Sequence, residues 1–346
     1  STLSCGYKSQ RDAWVYGFSK REVSANCKKT IAFYNHELDR YQSVGIPTAP
    51  DQFVKKDDKE ISWSRALYWD IGRGKRKYPE LGRLSIASYR PFCHQWCKLD
   101  SQIADIPGKQ LDFFPYQGAE NCEICMVGPA AGHGWTCLMS DCVPDLHMQS
   151  TSQCFPLYWY EKVDPMPTSG LGALTPAQTS LFGSDQPSLG EALTDESARW
   201  VRHDAITDSA LAVFREAYPE SRVTKREIFF YVYGVLHSPE YRERFANNLK
   251  KELPRIPLAR DFAAFARAGH ALANLHLNYE SIPGWQGLAE DGDARNPGRT
   301  EKMAWEKVRV PETGKSVNDY TALRVAENRV IRNIPARRRE YVANGK

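Results

Sequence analysis

An α+β fold, with a β-rich N-terminal lobe followed by a helical lobe, is what this sequence predicts. Three observations carry the expectation. Between residues 61 and 160, short apolar stretches are separated by Gly, Pro, Asp and Asn, the punctuation of strands and turns. From 195 to 280, apolar residues recur at helical spacing behind clear start signals. Between them, DPMPTSGLGALTPAQTSLFGSDQPSLG shifts to Pro, Thr, Ser and Gly, which cannot bury enough apolar surface to order itself.

Residues 1–58 read as a polar helical connector, with Ile31, Phe33, Tyr34 and Leu38 on roughly one face before the prolines of IPTAPD stop the helix. The β-rich lobe is expected over 59–164, where RLSIASY, EICMVG, WTCLM and CFPLYWY supply β-branched and aromatic residues suited to a pleated surface. Residues 165–194 form a flexible insert. In the helical lobe, 195–280, Thr224 and Glu227 spell a capping box ahead of IFFYVYGVL. Ser238 and Pro239 then supply an N-cap and a first-turn proline for a helix burying Tyr241, Phe245 and Leu249. A third helix begins near Asp261 and presents Phe262, Phe265, Leu272 and Leu275 on one face. The mixed segment 281–346 holds a loop, GLAEDGDARNPGRTEK, and two strand candidates, KVRVPETGKSV and TALRVAENRVI.

The composition excludes several classes. With 42% hydrophobic and 25% charged residues in a 346-residue chain, the protein is neither disordered nor membrane-embedded in character. No run approaches the ~18 apolar residues of a spanning helix, and STLSCGYKSQRDAW lacks a secretory pattern, so a cytoplasmic protein is expected. The net charge of +4 permits nucleic-acid binding without arguing for it.

Motifs for catalysis are missing or broken. Gly314-Lys315-Ser316 imitates the end of a phosphate-cradling loop, but Arg309 stands where its first glycine is needed. Asp164-Pro165-Met166-Pro167 lacks the aromatic end of an adenine-methylation loop. Pro144-Asp145 is not followed by a Glu-x-Lys, because Glu161 and Lys162 are adjacent. Neither a His-Glu-x-x-His pair nor a Gly-x-Ser-x-Gly elbow occurs. An enzyme in its own right is therefore not expected.

The nine cysteines read as reduced thiols. Cys122 and Cys125 have a metal-hairpin spacing that His133, Cys137 or Cys142 would complete, but Cys125 in ICMV and Cys137 in WTCLM sit in apolar runs and read as small core residues, so no metal ligand is assigned. Basic residues cluster in Gly72–Tyr78, a glycine-flanked loop read as flexible, and along 238–260, where Arg242, Arg244, Lys250, Lys251, Arg255 and Arg260 alternate with glutamates. Each group suits either a phosphate grip or a solvated face. The Arg337–Arg339 run is a weaker third.

Residues 224–280 resemble the helical block of the C-terminal specificity domain of type ISP (single-polypeptide) restriction–modification enzymes. KSQRDAWVY (8–16), ISWSR (61–65), ASYRPF (87–92), SDCVPDLH (140–147), QCFPLYWYE (153–161) and YVANGK (341–346) resemble further blocks of the family in the same order. The loop at 165–190 and the cysteine-bearing 93–97 match no family block. The resemblance implies sequence-specific recognition of double-stranded DNA and a chain beginning after the methyltransferase core. It also implies methyltransferase, translocase and nuclease modules elsewhere in the polypeptide. S-adenosylmethionine, ATP and Mg would serve those modules, with no cofactor in this region. DNA-facing candidates are Arg73, Lys75, Arg76, Lys77, Arg90, Arg242 and Arg255, although Arg90 and Arg255 sit beside prolines and aromatics and equally suit bracing roles. The rival expectation is a coupling module that holds the other modules together without reading bases.

Overall fold

The computed structural model describes residues 3–45, 48–129, 131, 134–163, 199–292, 295 and 303–340. The insert 165–194, the Asp164–Pro167 run, His133 and YVANGK (341–346) lie outside the described residues. Two units separate between Leu277 and Asn278.

The first unit, Ser1–Leu277, is α+β, and its layers are built on two four-stranded sheets. One sheet has the order β1 (Ser4–Cys5), β8 (Gln153–Pro156), β5 (Glu123–Met126), β6 (Cys137–Ser140). All four residues of β5 and of β6 are buried, which explains why EICM and CLMS read as continuous runs and not as alternation. The second sheet is β2 (Tyr16–Gly17), β4 (Cys93–Leu99), β3 (Arg83–Arg90), β7 (Val143–Pro144). Ser88 of β3 meets Ser140 of β6 through their hydroxyls at 2.7 Å, so the two sheets face one another.

Outside the second sheet lies α1 (Lys20–Ser43), whose Cys27 and Ile31 share a core with Ala87, Cys97 and Leu99. Ser19 caps it, accepting from Glu22 N. Farther along, Tyr34, Leu38 and Tyr41 pack with Leu67 and Ile71 of α2 (Arg65–Gly72), extending the predicted apolar face by one turn. The first 58 residues therefore do not stand apart as a connector. Ser4–Cys5 pairs with β8 and Tyr16–Gly17 with β4, so these residues complete both sheets of the β-rich lobe.

Against the first sheet pack α3 (Asp208–Ala217), α4 (Lys225–His237), α5 (Pro239–Arg244) and α6 (Phe262–Leu277). Ile124, Met126 and Met139 lie in one core with Phe229, Tyr231 and Phe262. The capping box is present: Glu227 N donates to Thr224 Oγ1 at 3.2 Å, and Thr224 N donates to the Glu227 carboxylate at 2.8 Å. Ser238 caps α5 with Pro239 in its first turn, but the helix breaks at Phe245, and a separate turn at Ala246–Leu249 follows. The buried stripe of α6 is Phe262, Ala266, Gly269, Ala273 and His276, while Leu275 is exposed. Of the face singled out in sequence, Phe262 and Phe265 pack on Tyr231 of α4 and Leu272 lies against the same core, whereas Leu275 does not, and the small residues Gly269 and Ala273 are buried as well.

A two-stranded ribbon pairs β9 (Tyr158–Lys162) with β10 (Trp200–Asp204), a strand at the start of the expected helical lobe. Val163 N donates to Arg199 O at 2.8 Å, so the segment holding the insert leaves and returns at adjacent strand ends.

The second unit, Asn278–Lys346, carries a sheet of order β11 (Ala289–Gly292), β14 (Arg329–Arg332), β13 (Ser316–Ala326), β12 (Ala304–Arg309). Both strand candidates are strands. β11 lies inside what reads as a loop, because its pairing with β14 is settled by a partner 40 residues away and not by local pattern. Gly314, at φ 64°, sits in the β12–β13 connection, consistent with a turn and not a phosphate cradle. Among the described residues, no helix is long and apolar enough to cross a membrane.

Candidate nucleic-acid interface

Helix α2 delivers the basic loop, ending at Gly72 so that Arg73 caps it and Gly74 turns at φ 68°. The loop reads as flexible in sequence, but its backbone is tied to α1. Tyr34 Oη donates to Lys75 O at 2.9 Å, Asn35 Nδ2 donates to Lys77 O at 2.8 Å, and Lys77 N donates to Asn35 Oδ1 at 3.0 Å. These bonds hold the four cations at different depths. Lys77 is 4% exposed, with its ammonium on Asp70 and over the Tyr34 ring. Lys75 reaches the other oxygen of Asp70 at 3.3 Å, and Arg76 pairs with Asp39. Arg73 is exposed and makes no ion pair among the described residues.

The remaining candidates do not join this loop. Arg90, ending β3, donates to Asp145 Oδ1 at 2.7 Å and to its neighbour's carbonyl, Tyr89 O, at 2.6 Å, and stacks over the Tyr89 ring. Asp12 Oδ2 lies 3.4 Å from its other amine. Arg90 thus ties the start of the chain to β3 and the segment after β7, around a carboxylate that is 2% exposed. Arg242 donates to Leu236 O at 2.7 Å and lies over Trp135. Beside it, burial holds the imidazoles of His237 and His276 down at about 4, with the Arg242 charge adding to the effect. Arg255 is open to solvent, paired only at 3.3 Å with Glu252, a separation at which exposed pairs contribute little.

A second basic surface emerges only in three dimensions. Where the N-terminal half of α4 crosses α6, a groove of about 680 Å³ has a floor of Phe230, Phe262 and Ala266. Arg222, Arg226 and Arg267 stand on its walls, with Glu220 also on the rim. All three arginines are exposed, and none makes an ion pair among the described residues. Arg222 precedes the capping box and Arg226 lies within it, whereas Arg267 comes from the next long helix. No local pattern links them.

Cys122 and Cys125 are placed as core thiols and not as the two ends of a metal hairpin, the alternative their spacing offered. Three residues apart on extended chain, they face opposite sides of the sheet. Cys122 and Cys137 lie in the core against α4, while Cys142 Sγ lies 3.2 Å from Ser88 Oγ.

The layered fold is that of an α+β domain carrying two separate basic surfaces. The chain belongs to the Type ISP C-terminal specificity domain family, whose model matches residues 1–346. Three solved structures are similar to it. A nuclease-deletion mutant of the Type ISP restriction-modification enzyme LlaGI, in complex with a DNA substrate mimic, is 29% identical with a TM-score of 0.74, covering 100% of this chain and 27% of that one. The ATP-dependent Type ISP restriction-modification enzyme LlaBIII, bound to DNA, is 25% identical with a TM-score of 0.74, covering 99% and 20%. The DrdV–DNA complex is 25% identical with a TM-score of 0.73, covering 96% and 29%. This chain thus spans 20% to 29% of the chains it resembles. None of the curated proteins compared matches it.

Proposed function

We propose that this chain recognises a specific sequence in double-stranded DNA. The observation that carries the reading is the whole-length match to a specificity-domain family, whose solved neighbours are DNA complexes. Recognition divides into two kinds of contact. Lys and Arg neutralise phosphates and set the register, while side chains in a groove read base edges. In this reading Arg73, Lys75 and Arg76, on a loop held rigid by α1, grip phosphates. Arg222, Arg226 and Arg267 provide a second grip, and Arg255 a peripheral one. Lys77, Arg90 and Arg242 act through the fold, because each is committed to buried or half-buried protein partners.

The wider role follows from the family. The domain would hold its site so that an adenine is flipped into a methyltransferase module, since chemistry on a base requires it out of the stack. Translocase and nuclease modules of the same polypeptide would act on the same bound duplex. S-adenosylmethionine, ATP and Mg would belong to those modules and not to this one.

The test is a selection of the purified chain against a randomised duplex library at low and physiological salt. Enrichment of one short asymmetric motif supports target recognition. Salt-sensitive binding without enrichment reduces the chain to a phosphate grip. Failure to bind at any salt overturns the reading in favour of a coupling module.

A further inference from the structure

The first sheet carries a cluster that DNA recognition does not use. On β5, Glu123 and Cys125 are two residues apart and so share a face, and Cys154 of β8 lies directly across from Cys125 in the antiparallel register. This face turns away from the helices. One carboxylate oxygen and the two sulfurs lie within 4.8 Å of one another. All three residues are 0% exposed. Neither carboxylate oxygen of Glu123 has a hydrogen-bond partner among the described residues. Gln110, also 0% exposed, lies against this carboxyl; its Nε2 donates to Cys5 O at 3.1 Å and its Oε1 has no partner.

Orphaned buried carboxylate oxygens are costly, and a folded chain retains them where something not made of protein completes them. Two thiols and a carboxyl gathered at one buried point are the donor set of a thiophilic divalent cation. Hard cations such as Mg²⁺ want all-oxygen surroundings and are disfavoured here.

We propose that Glu123, Cys125 and Cys154 form a structural binding site for a thiophilic divalent cation of the zinc type, clamping β5 to β8 inside the recognition domain. Binding displaces the protons of the two thiols and the carboxyl to solvent, leaving the metal held by two thiolates and a carboxylate. No oxidant is required, and the site is buried, so the cation enters as the sheet closes. The cysteine signal legible in sequence is thereby reassigned. Cys125 contributes with Cys154, 29 positions on, and not with Cys122.

The test uses the full 346-residue chain, produced with Zn²⁺ present as it folds, purified untagged and reduced, exchanged into metal-free buffer and assayed by elemental analysis. The expected result is about one zinc per chain. It falls at least tenfold in Cys154→Ser and Glu123→Gln and is unchanged in Cys122→Ser, whose thiol lies on the other face. If those variants fold poorly, Co²⁺ supplied while the unsubstituted chain is synthesised and folds decides: thiolate-to-cobalt charge-transfer absorption supports the site, and its absence on the folded chain overturns it. A zinc content near zero in the folded native chain also overturns it, as does retention by Cys154→Ser or a Cys125–Cys154 disulfide in the freshly purified protein.

Discussion

Gly234 of α4 and Gly269 of α6 face each other where the two helices cross. A Cβ on Gly269 would overlap the Phe230 carbonyl oxygen and come within 2.7 Å of Gly234 N, and one on Gly234 would overlap the Phe265 carbonyl. The backbones touch, and this contact sets the angle and depth of the groove holding Arg226 and Arg267. Gly269→Ala is expected to cost about 3 kcal/mol, since both obstacles are backbone and cannot rotate away. Gly284→Ala, at a position open to space, is expected to stay within about 0.5 kcal/mol. Urea unfolding of the two variants checks this, and equal midpoints would contradict the packing described.

Arg90 separates bracing from DNA contact. Removing its guanidinium in Arg90→Ala leaves Asp145, 2% exposed, without its cation, and a buried carboxylate stripped of a partner is destabilising by about 2 kcal/mol here. Thermal denaturation should fall accordingly, while DNA affinity measured well below the melting temperature changes little. A variant of native stability with strongly weakened binding would instead make Arg90 a DNA contact.

Phosphate contacts leave a signature in salt. If the groove arginines grip the backbone, Arg226→Ala and Arg267→Ala each lower the slope of log affinity against log salt by about one, uniformly across target sequences. Arg73→Ala should do the same from the other surface. Fluorescence anisotropy between low and physiological salt measures the slopes, and unchanged values for both groove variants would remove the groove from the interface.

His237 and His276 make the helical lobe acid-sensitive. Their rings lie 5.5 Å apart, with Tyr233 bonded to His276 and Arg242 and Cys137 beside His237. The unfolded rings take up protons near 6.5 and the folded ones only near 4. The unfolded state thus binds more protons in between. Their contribution to stability is complete above 6.5 and is lost as pH falls from there to 4, by about 1.4 kcal/mol per unit for each ring. Urea midpoints at pH 7 and pH 5 should therefore diverge in the native chain and converge in the His237→Gln/His276→Gln double variant. Parallel acid limbs in the two would place the sensitivity elsewhere.

Local chemistry was legible and long-range packing was not, as individual residues show. The Thr224–Glu227 box reads directly, because both of its hydrogen bonds close within one helical turn. The stripe of α6 reads correctly at Phe262, Phe265 and Leu272 but not at its end: Leu275 is the stronger hydrophobe, yet Gly269 and Ala273 are buried in its place, because at the crossing point the backbone of α4 admits only small side chains. Loop 72–78 has the apparent freedom of two glycines, Gly72 and Gly74, and only the position of Asn35 and Tyr34 on α1 removes it.

By itself, then, the sequence determined the α+β class, the helix starts, most strands and the family, since all of these reside in patterns repeated over a few residues or in blocks kept in order. Tertiary structure alone decided which cations stay free for a partner and which are spent on Asp70, Asp145 or Leu236. It also joined Arg222 and Arg226 to Arg267, and Cys125 to Cys154. The physical reason is common to these cases. A side chain's charge, exposure and ligand geometry are set by what packs against it, and those neighbours come from elements tens of residues away that no local spacing encodes.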